Sequence, residues 1–284
     1  LRAAEEAWRR IQGMPEYPIL APSVLAQLAI LYGRIGRSQR ALWFLERGLS
    51  STEGIEQLKV RLRRSAVLVG LGRYHEAHIE LESPDLVKAP ANCQSERNYL
   101  LGEIALADGN TRTAISRYAQ TIELARELGF NYEELLSRLA LVCIYGSQND
   151  FAAANEHIAR AQELISDKAD RLIFRFREVL LMQWQGRYTP SHSVEELEAL
   201  IDAFGEMGLL QEQAAVKLHR ADLLRRMGKS EYTLELDALQ ALSVTLQNPS
   251  FLAREWALLP DLQKIALETH PRIAGTTTNT LEVF

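Results

Sequence analysis

Proline and glycine are scarce in this sequence, with 9 and 16 residues among 284. A β-rich fold needs both at its many tight turns, so their scarcity argues against that class. Long apolar runs are missing too, because no stretch approaches the roughly 18 residues expected of a membrane span. Leu, Ala, Glu and Arg are abundant instead, and all four are good helix formers. We therefore expect an all-α protein with no membrane-spanning segment.

Cysteine is nearly absent, and positive charge is not in excess. The two cysteines, Cys93 and Cys143, lie 50 residues apart, which favours a reducing, cytoplasmic location over a disulfide framework. The formal net charge of −5 argues against a broad nucleic-acid-binding face, so we expect no direct nucleic-acid binding by this segment. The chain begins at Leu1 without a signal-peptide pattern, and we expect it to be an excised piece of a longer protein.

Turn residues recur at regular intervals along the chain. Their successive spacings are 36, 37, 40, 37 and 42 residues, a period typical of stacked structural repeats. Asparagine stands in for glycine at one turn because it tolerates the left-handed backbone conformation. The turn residues are Gly36, Gly72, Gly109, Asn149, Gly186 and Gly228.

Apolar and small residues follow helical spacing on both sides of these turns. In the third unit, Leu101, Gly102 and Ala105 precede the turn, and Ala114 and Tyr118 follow it. Residues three or four positions apart share one face of a helix. Each unit is therefore predicted to be two antiparallel helices, in which the small residue lets the neighbouring helix approach closely.

Two segments match a known repeat pattern best: "LLGEIALADGNTRTAISRYAQTI" (residues 100–122) and "LAQLAILYGRIGRSQRALWFLERGL" (residues 25–49). The chain thereby resembles tetratricopeptide (TPR) repeats, whose pattern is L-G-x2-Y followed by A-x3-F, over about residues 22–246. The resemblance implies an all-α solenoid, a right-handed superhelix of about six stacked antiparallel helix pairs. The family's tryptophan is absent and its closing proline mostly absent, and the fifth unit inserts "TPSHS" (residues 189–193) before its second helix.

The resemblance also implies that the first helix of each unit lines a concave groove. Residues of these helices outside the packing positions are the candidate ligand- or partner-binding residues, and they combine aromatic area with arginine, as recognition sites do. Alternatively, Phe176 and Trp184 pack between repeats. The Lys and Asn pair with which some TPR proteins grip a C-terminal carboxylate is replaced by Ala26 and Ile30, which disfavours binding of chaperone tails. The candidates are Arg63, Tyr99, Glu103, Phe176, Arg177, Trp184, His219, Asp222 and Arg226.

Longer, degenerate repeats of this type are similar to those in large bacterial transcription activators, where the array senses a small molecule or a partner protein. We therefore expect a non-catalytic binding domain that takes a protein or peptide partner, or a small-molecule effector. It would form the sensing or interaction region of a bacterial transcriptional regulator. The alternatives are a constitutive scaffold that binds peptide segments and, with the least support, a hydrolase on a helical-repeat frame. No cofactor is expected.

The stretch "LGRYHEAHIELE" (residues 71–82) looks like a damaged zinc-protease motif. Its histidines, His75 and His78, are three positions apart, whereas that motif needs a spacing of four. Tyr74, Ala77 and Leu81 take the packing positions of the repeat, so we expect outward-facing histidines and no metal site. Neither cysteine has a patterned histidine partner, and no G-x-S-x-G motif or glycine-rich phosphate loop occurs. The sequence therefore predicts no enzyme.

The two ends differ from the repeats. Residues 2–12 are predicted to form an amphipathic helix, followed by a connection through Pro22. Residues 250–269 are predicted to form another helix, interrupted or kinked near Pro260, where the missing N–H breaks the ladder. The helical array is expected to span residues 1–270. Residues 271–284 are either a tail or the first strand of a truncated following domain.

Overall fold

The structure is a computed structural model that describes residues 2–11, 24–25, 27–29, 31–32, 37–50, 52–246 and 252–274. The turn at Gly36, the positions Ala26 and Ile30, the connection at Pro22 and residues 275–284 lie outside these described residues. Residues described between 24 and 32 are helical and belong to the first helix of the first repeat. The further helices are α1 Arg2–Ile11, α2 Ser38–Leu49, α3 Gly54–Gly70, α4 Tyr74–Leu81, α5 Pro84–Val87, α6 Ala91–Ala107, α7 Thr111–Leu128, α8 Asn131–Ser147, α9 Phe151–Gln162, α10 Lys168–Trp184, α11 Pro190–Glu206, α12 Leu210–Arg226, α13 Tyr232–Leu246, α14 Ala253–Trp256, α15 Pro260–Thr269 and α16 Pro271–Ala274.

These helices stack as pairs. The first helix of the third repeat, α6, packs against its own second helix α7 and against the first helices of both neighbouring repeats, α3 and α8. No strand occurs in the described part of the chain. The predicted all-α solenoid is therefore confirmed. Among the described helices, none combines the length and the apolar composition that a membrane crossing requires.

The predicted turns have the backbone conformation that their residue types suggest. The backbone φ angle is +70° at Gly72, +74° at Gly109, +67° at Gly186 and +72° at Gly228. Asn149 is the one non-glycine residue with positive φ, at +62°, among the described residues. A left-handed residue lets two helices join within a few residues, and side chains other than those of Asn and Asp rarely adopt it.

Small residues bring the two helices of a repeat together. In the first four repeats an alanine lies five residues after the turn and is fully buried: Ala41, Ala77, Ala114 and Ala154. The approach is closest at Gly102, where an added β-carbon would lie 2.8 Å from Cε1 of Tyr118.

We expect the substitution Gly102→Ala to destabilise the protein. Tyr118 is fully buried and its hydroxyl donates to Glu103 Oε1 at 2.7 Å, so the ring cannot move aside. Overpacking of this kind costs about 1–3 kcal/mol, more than the gain of about 0.5–1 kcal/mol from replacing a helical glycine with alanine. Urea unfolding followed by circular dichroism measures the change.

The matched control is Gly70→Ala in the last turn of α3. A β-carbon there would meet nothing closer than Gln211 Nε2 at 3.9 Å, so the unfolding free energy should stay level or rise by up to about 1 kcal/mol. Equal losses in the two variants would contradict the close approach of Gly102 and Tyr118.

The predicted insertion in the fifth repeat was wrong. The segment 189–193 begins helix α11 instead of preceding it, because Pro190 takes the first helical position. A missing N–H does no harm at that position. The Thr189 hydroxyl caps the helix by accepting a hydrogen bond from the backbone N–H of His192 at 3.3 Å.

The C-terminal part follows the prediction near Pro260 and departs from it beyond residue 270. The helical region is interrupted as expected, because residues 253–256 and 260–269 form two separate helices, α14 and α15, and Pro260 begins the second one. Residues 271–274, expected to be tail or strand, form the short helix α16. Ile273 and Ala274 are fully buried in the C-terminal core, so packed structure continues beyond the expected boundary at residue 270.

Candidate ligand-binding groove

The inner surface of the solenoid encloses a cavity of about 240 Å³. Gly70 of the second repeat and Gln211 of the sixth lie on opposite walls and nearly touch, since a β-carbon on Gly70 would be 3.9 Å from Gln211 Nε2. The array thus curls far enough for its ends to face each other across the groove. The lining residues are Val69, Gly70, Tyr74, Tyr99, Glu103, Tyr132, Leu136, Ile173, Phe176, Arg177, Phe204, Gln211, Glu212, Ala215, Leu252, Arg254 and Glu255.

A second cavity of about 320 Å³ adjoins the first towards the N-terminal repeats. Both cavities are lined by Tyr99, Glu103 and Tyr132. Arg63 belongs to the second cavity; its Nη1 lies 2.9 Å from Glu96 Oε1, and 43% of its side chain is exposed. Burial raises the pKa of Glu96 in spite of the nearby guanidinium. Arg63 is therefore anchored at one end and still accessible to a ligand.

Five charged or titratable side chains meet in one cluster at the C-terminal wall of the first cavity. Glu255 accepts two hydrogen bonds from Arg177, at 3.0 and 2.7 Å. Its Oε2 lies 2.8 Å from His219 Nε2, and its Oε1 accepts from Arg254 Nη2 at 2.8 Å. Arg254 also donates from Nη1 to Glu103 Oε2 at 2.6 Å. The charges alternate in sign, so each carboxylate has a cationic neighbour.

This cluster favours the charged forms of Glu255, Arg177 and Arg254. Burial alone would raise the pKa of Glu255, but Arg177 and Arg254 outweigh it and hold the pKa well below its ordinary value. An ionised carboxylate only accepts hydrogen bonds, so Nε2 of His219 must carry the proton in its contact with Glu255. The pKa of Arg254 is shifted in the direction that favours its charge. Burial alone would lower this pKa, but the carboxylates of Glu103 and Glu255 raise it.

The structure separates the predicted binding residues into three places. Tyr99, Glu103, Phe176 and Arg177 line the first cavity, and Arg63 the second. The other four surround a third space of about 20 Å³, room for little more than one water molecule. These four are Trp184, His219, Asp222 and Arg226.

Three further predicted residues, Trp184, Asp222 and Arg226, have clear structural partners. Trp184, in the fifth repeat, packs against the preceding repeat, because a β-carbon on Gly146 would lie 2.5 Å from its Cε3 atom. Asp222 is buried and accepts from Arg226 Nε at 2.7 Å. Phe176 is both 2% exposed and part of the first cavity wall, with its ring centroid 5.4 Å from that of His219.

Several lining residues were not predicted. Arg254 and Glu255 come from the C-terminal segment, which follows no repeat register, so counting from the turns could not reach them. Tyr132, Gln211 and Glu212 lie in the first turns of α8 and α12. The predicted candidates lie nearer the turn residue that follows each first helix. The first turns of α8 and α12 also face the groove, so extending the repeat register to these positions predicts all three residues.

The segment containing His75 and His78 packs through the positions that the repeat register assigns to its buried face. Both histidines are exposed, whereas Ala77 and Leu81 are fully buried, so the packing interpretation is confirmed. Within the described residues no three His, Cys, Asp or Glu side chains are grouped to hold a metal ion. Cys93 and Cys143 are free and buried, and burial raises the pKa of both thiols, which disfavours the reactive thiolate.

The fold and the groove define a class: an all-α helical-repeat array with an enclosed inner surface. No family model matches the sequence, and no curated protein matches it. Among solved structures, the chain is similar to "Crystal Structure of Rap Protein Complexed with Competence and Sporulation Factor", with a TM-score of 0.70 and 14% sequence identity. The match covers 86% of this chain and 69% of the Rap chain. At this identity the likeness shows the fold alone.

Proposed function

We propose that this chain is a non-catalytic binding domain whose groove takes a peptide segment of a partner protein. In this proposal it is the sensing or interaction region of a bacterial transcriptional regulator. The observation that carries the binding role is the pair of adjoining cavities. They share seven lining residues, which come from the first helices of the second, third, fourth and sixth repeats. Small-molecule effectors are the alternative occupants.

The chemistry of the groove supports binding of a peptide. Tyr74, Tyr99 and Tyr132 offer apolar area with a polar end, a combination typical of recognition surfaces. Arg63 and Gln211 add directed hydrogen bonding. A structurally similar Rap protein is complexed with competence and sporulation factor, so a helical array of this shape can hold a partner.

The arrangement of charges supports a role without catalysis. The carboxylates of Glu103 and Glu255 are each held by an arginine, and Glu255 is kept ionised, as described above. A general acid or base needs a pKa near the working pH, and the depressed pKa of Glu255 runs the opposite way.

A binding screen with the full chain tests the proposal. A library of synthetic peptides and a library of small metabolites are screened by thermal shift, and hits are measured by calorimetry. We expect peptide hits whose affinity falls at least about tenfold in Arg63→Ala, because a charge-assisted hydrogen bond contributes about 1.5–3 kcal/mol. The control is Arg160→Ala, which removes an exposed arginine paired with Glu163 at 3.2 Å, away from both cavities; affinity should not change.

The outcomes separate the alternatives. Hits that bind both variants equally would place the site outside the groove, and hits from the metabolite library alone would favour an effector. Regulation is tested by introducing Arg63→Ala into the gene and profiling transcripts. An unchanged profile, together with retained peptide binding by the wild type, would favour the constitutive scaffold.

A further inference from the structure

Residues 252–259, "LAREWALL", lie across the inner surface of the solenoid; we call them the inserted segment. In a solenoid each repeat contacts only its neighbours. The inserted segment breaks this rule, because it follows the sixth repeat and yet bonds to Glu103 of the third. It also bonds to Arg177 of the fifth repeat and His219 of the sixth. The inserted segment therefore occupies the groove as a bound peptide would.

Apolar anchors flank this polar contact. Leu258 packs against the cluster that contains Leu141 and Ile144 of α8, the first helix of the fourth repeat. Leu252 and Trp256 are each 1% exposed and belong to the C-terminal core. The inserted segment thus contacts the inner helices of four consecutive repeats with a pattern of bulky apolar residues around two charges.

The two charged residues of the inserted segment each lie beside a groove residue of opposite charge. Arg254 meets the carboxylate of Glu103, and the next residue, Glu255, meets Arg177 and His219. Glu103 and Arg177 are 7% exposed, so an occupant without these charges would leave buried ions unpaired, which is strongly unfavourable. An occupant that carries the same pair restores every contact. The groove is therefore selective for an adjacent cation and anion.

Access to this contact comes from the first cavity. The Arg254 side chain is 35% exposed and lines that cavity, whereas the Glu255 side chain is 3% exposed. A competing peptide would thus meet the Arg254–Glu103 pair first.

We propose that the inserted segment is an internal occupant of the partner site. The partner is then a peptide with an arginine followed directly by a glutamate, between bulky apolar residues, and it binds by displacing the inserted segment. This inference rests on the proposed function and specifies its partner and its regulation.

A labelled peptide with the sequence of residues 252–259 is the probe, added to the full chain and measured by fluorescence anisotropy. Arg254→Ala in the protein weakens the internal competitor and leaves Glu103 available. We expect the probe to bind this variant at least tenfold more tightly than the wild type. A probe in which its own arginine is alanine should lose that gain, as should the wild-type probe on the double variant Arg254→Ala with Glu103→Gln.

Circular dichroism checks that each variant is folded, and Leu258→Ala serves as a second way to loosen the inserted segment if Arg254→Ala is not. Equal affinity for wild type and loosened variant, binding that ignores the arginine of the probe, or no binding to a folded loosened variant would each overturn the inference. If the peptides found in the library screen still bind through Arg63, only this inference fails. If neither they nor the probe bind, the proposed function fails as well.

Discussion

Replacing Glu255 with alanine is expected to lower the free energy of unfolding by about 3–5 kcal/mol. Its carboxylate is 3% exposed and lies between Arg177, Arg254 and His219. Removing it leaves the buried guanidinium of Arg177 without its anion. The attraction within a buried ion pair is largely offset by desolvation while both partners are present, but an unpaired ion retains the full desolvation cost. Urea unfolding of the two proteins measures the difference.

The control for this prediction is Glu163→Ala. Glu163 also pairs with an arginine, Arg160, at 3.2 Å, but both side chains are more than 60% exposed. Exposed pairs of this kind contribute about 0–1 kcal/mol. If the two alanine variants lose similar amounts of stability, the buried cluster does not have the role that its geometry indicates.

The effect of Glu255→Ala should depend on pH in one direction. The pKa of Glu255 is depressed in the folded protein, so its contribution to stability is complete above the ordinary glutamate pKa of about 4.3. It is lost as the pH falls from there through the depressed pKa. The gap between wild type and variant should therefore be widest at neutral pH and narrow in acid. A gap that widens in acid would contradict the ionised state of Glu255.

The repeat architecture could be predicted because its signals are local. A left-handed turn needs Gly or Asn, and an alanine five residues later lets two helices meet, so each hairpin is encoded within about one repeat length. The start of α11 could have been predicted too, because threonine followed by proline is a helix-start signal. Reading residues 189–193 as an insertion overlooked that signal.

The groove could be predicted only in part. Counting from the turns placed Arg177 and His219 on the first helices of the fifth and sixth repeats, as the structure has them, since equivalent positions of first helices recur with the period of the repeat. Their shared partner, Glu255, lies 78 and 36 residues further along the chain in a segment without that period. A contact that forms only because the whole array curves leaves no signal in the local sequence pattern. For Trp184 the sequence left both the groove and packing between repeats open. Residue spacing within one repeat does not report its contact with Gly146 of the preceding repeat.

The second large effect is expected for Trp256→Ala, with a loss of about 3–5 kcal/mol. The indole is 1% exposed, and its Nε1–H donates to the carbonyl oxygen of Ile273 at 2.6 Å. Truncation leaves a large cavity in the C-terminal core and removes the donor from that buried carbonyl. Trp43→Ala is the matched control: Trp43 is 41% exposed, with the Arg40 and Arg47 guanidinium groups about 5 Å from its ring. Such exposed contacts contribute about 0.5–1 kcal/mol each.

The loss caused by Trp256→Ala should also be confined to one part of the chain. Trp256 joins the inserted segment to α16, and α16 packs against α13, whereas α3 and α4 belong to a separate core. Because repeat arrays can open from one end, hydrogen exchange should accelerate in α13 to α16 and remain slow in α4. Uniform acceleration would mean that the array unfolds as one unit. Losses of equal size in Trp256→Ala and Trp43→Ala would mean that Trp256 does not anchor the inserted segment in the groove.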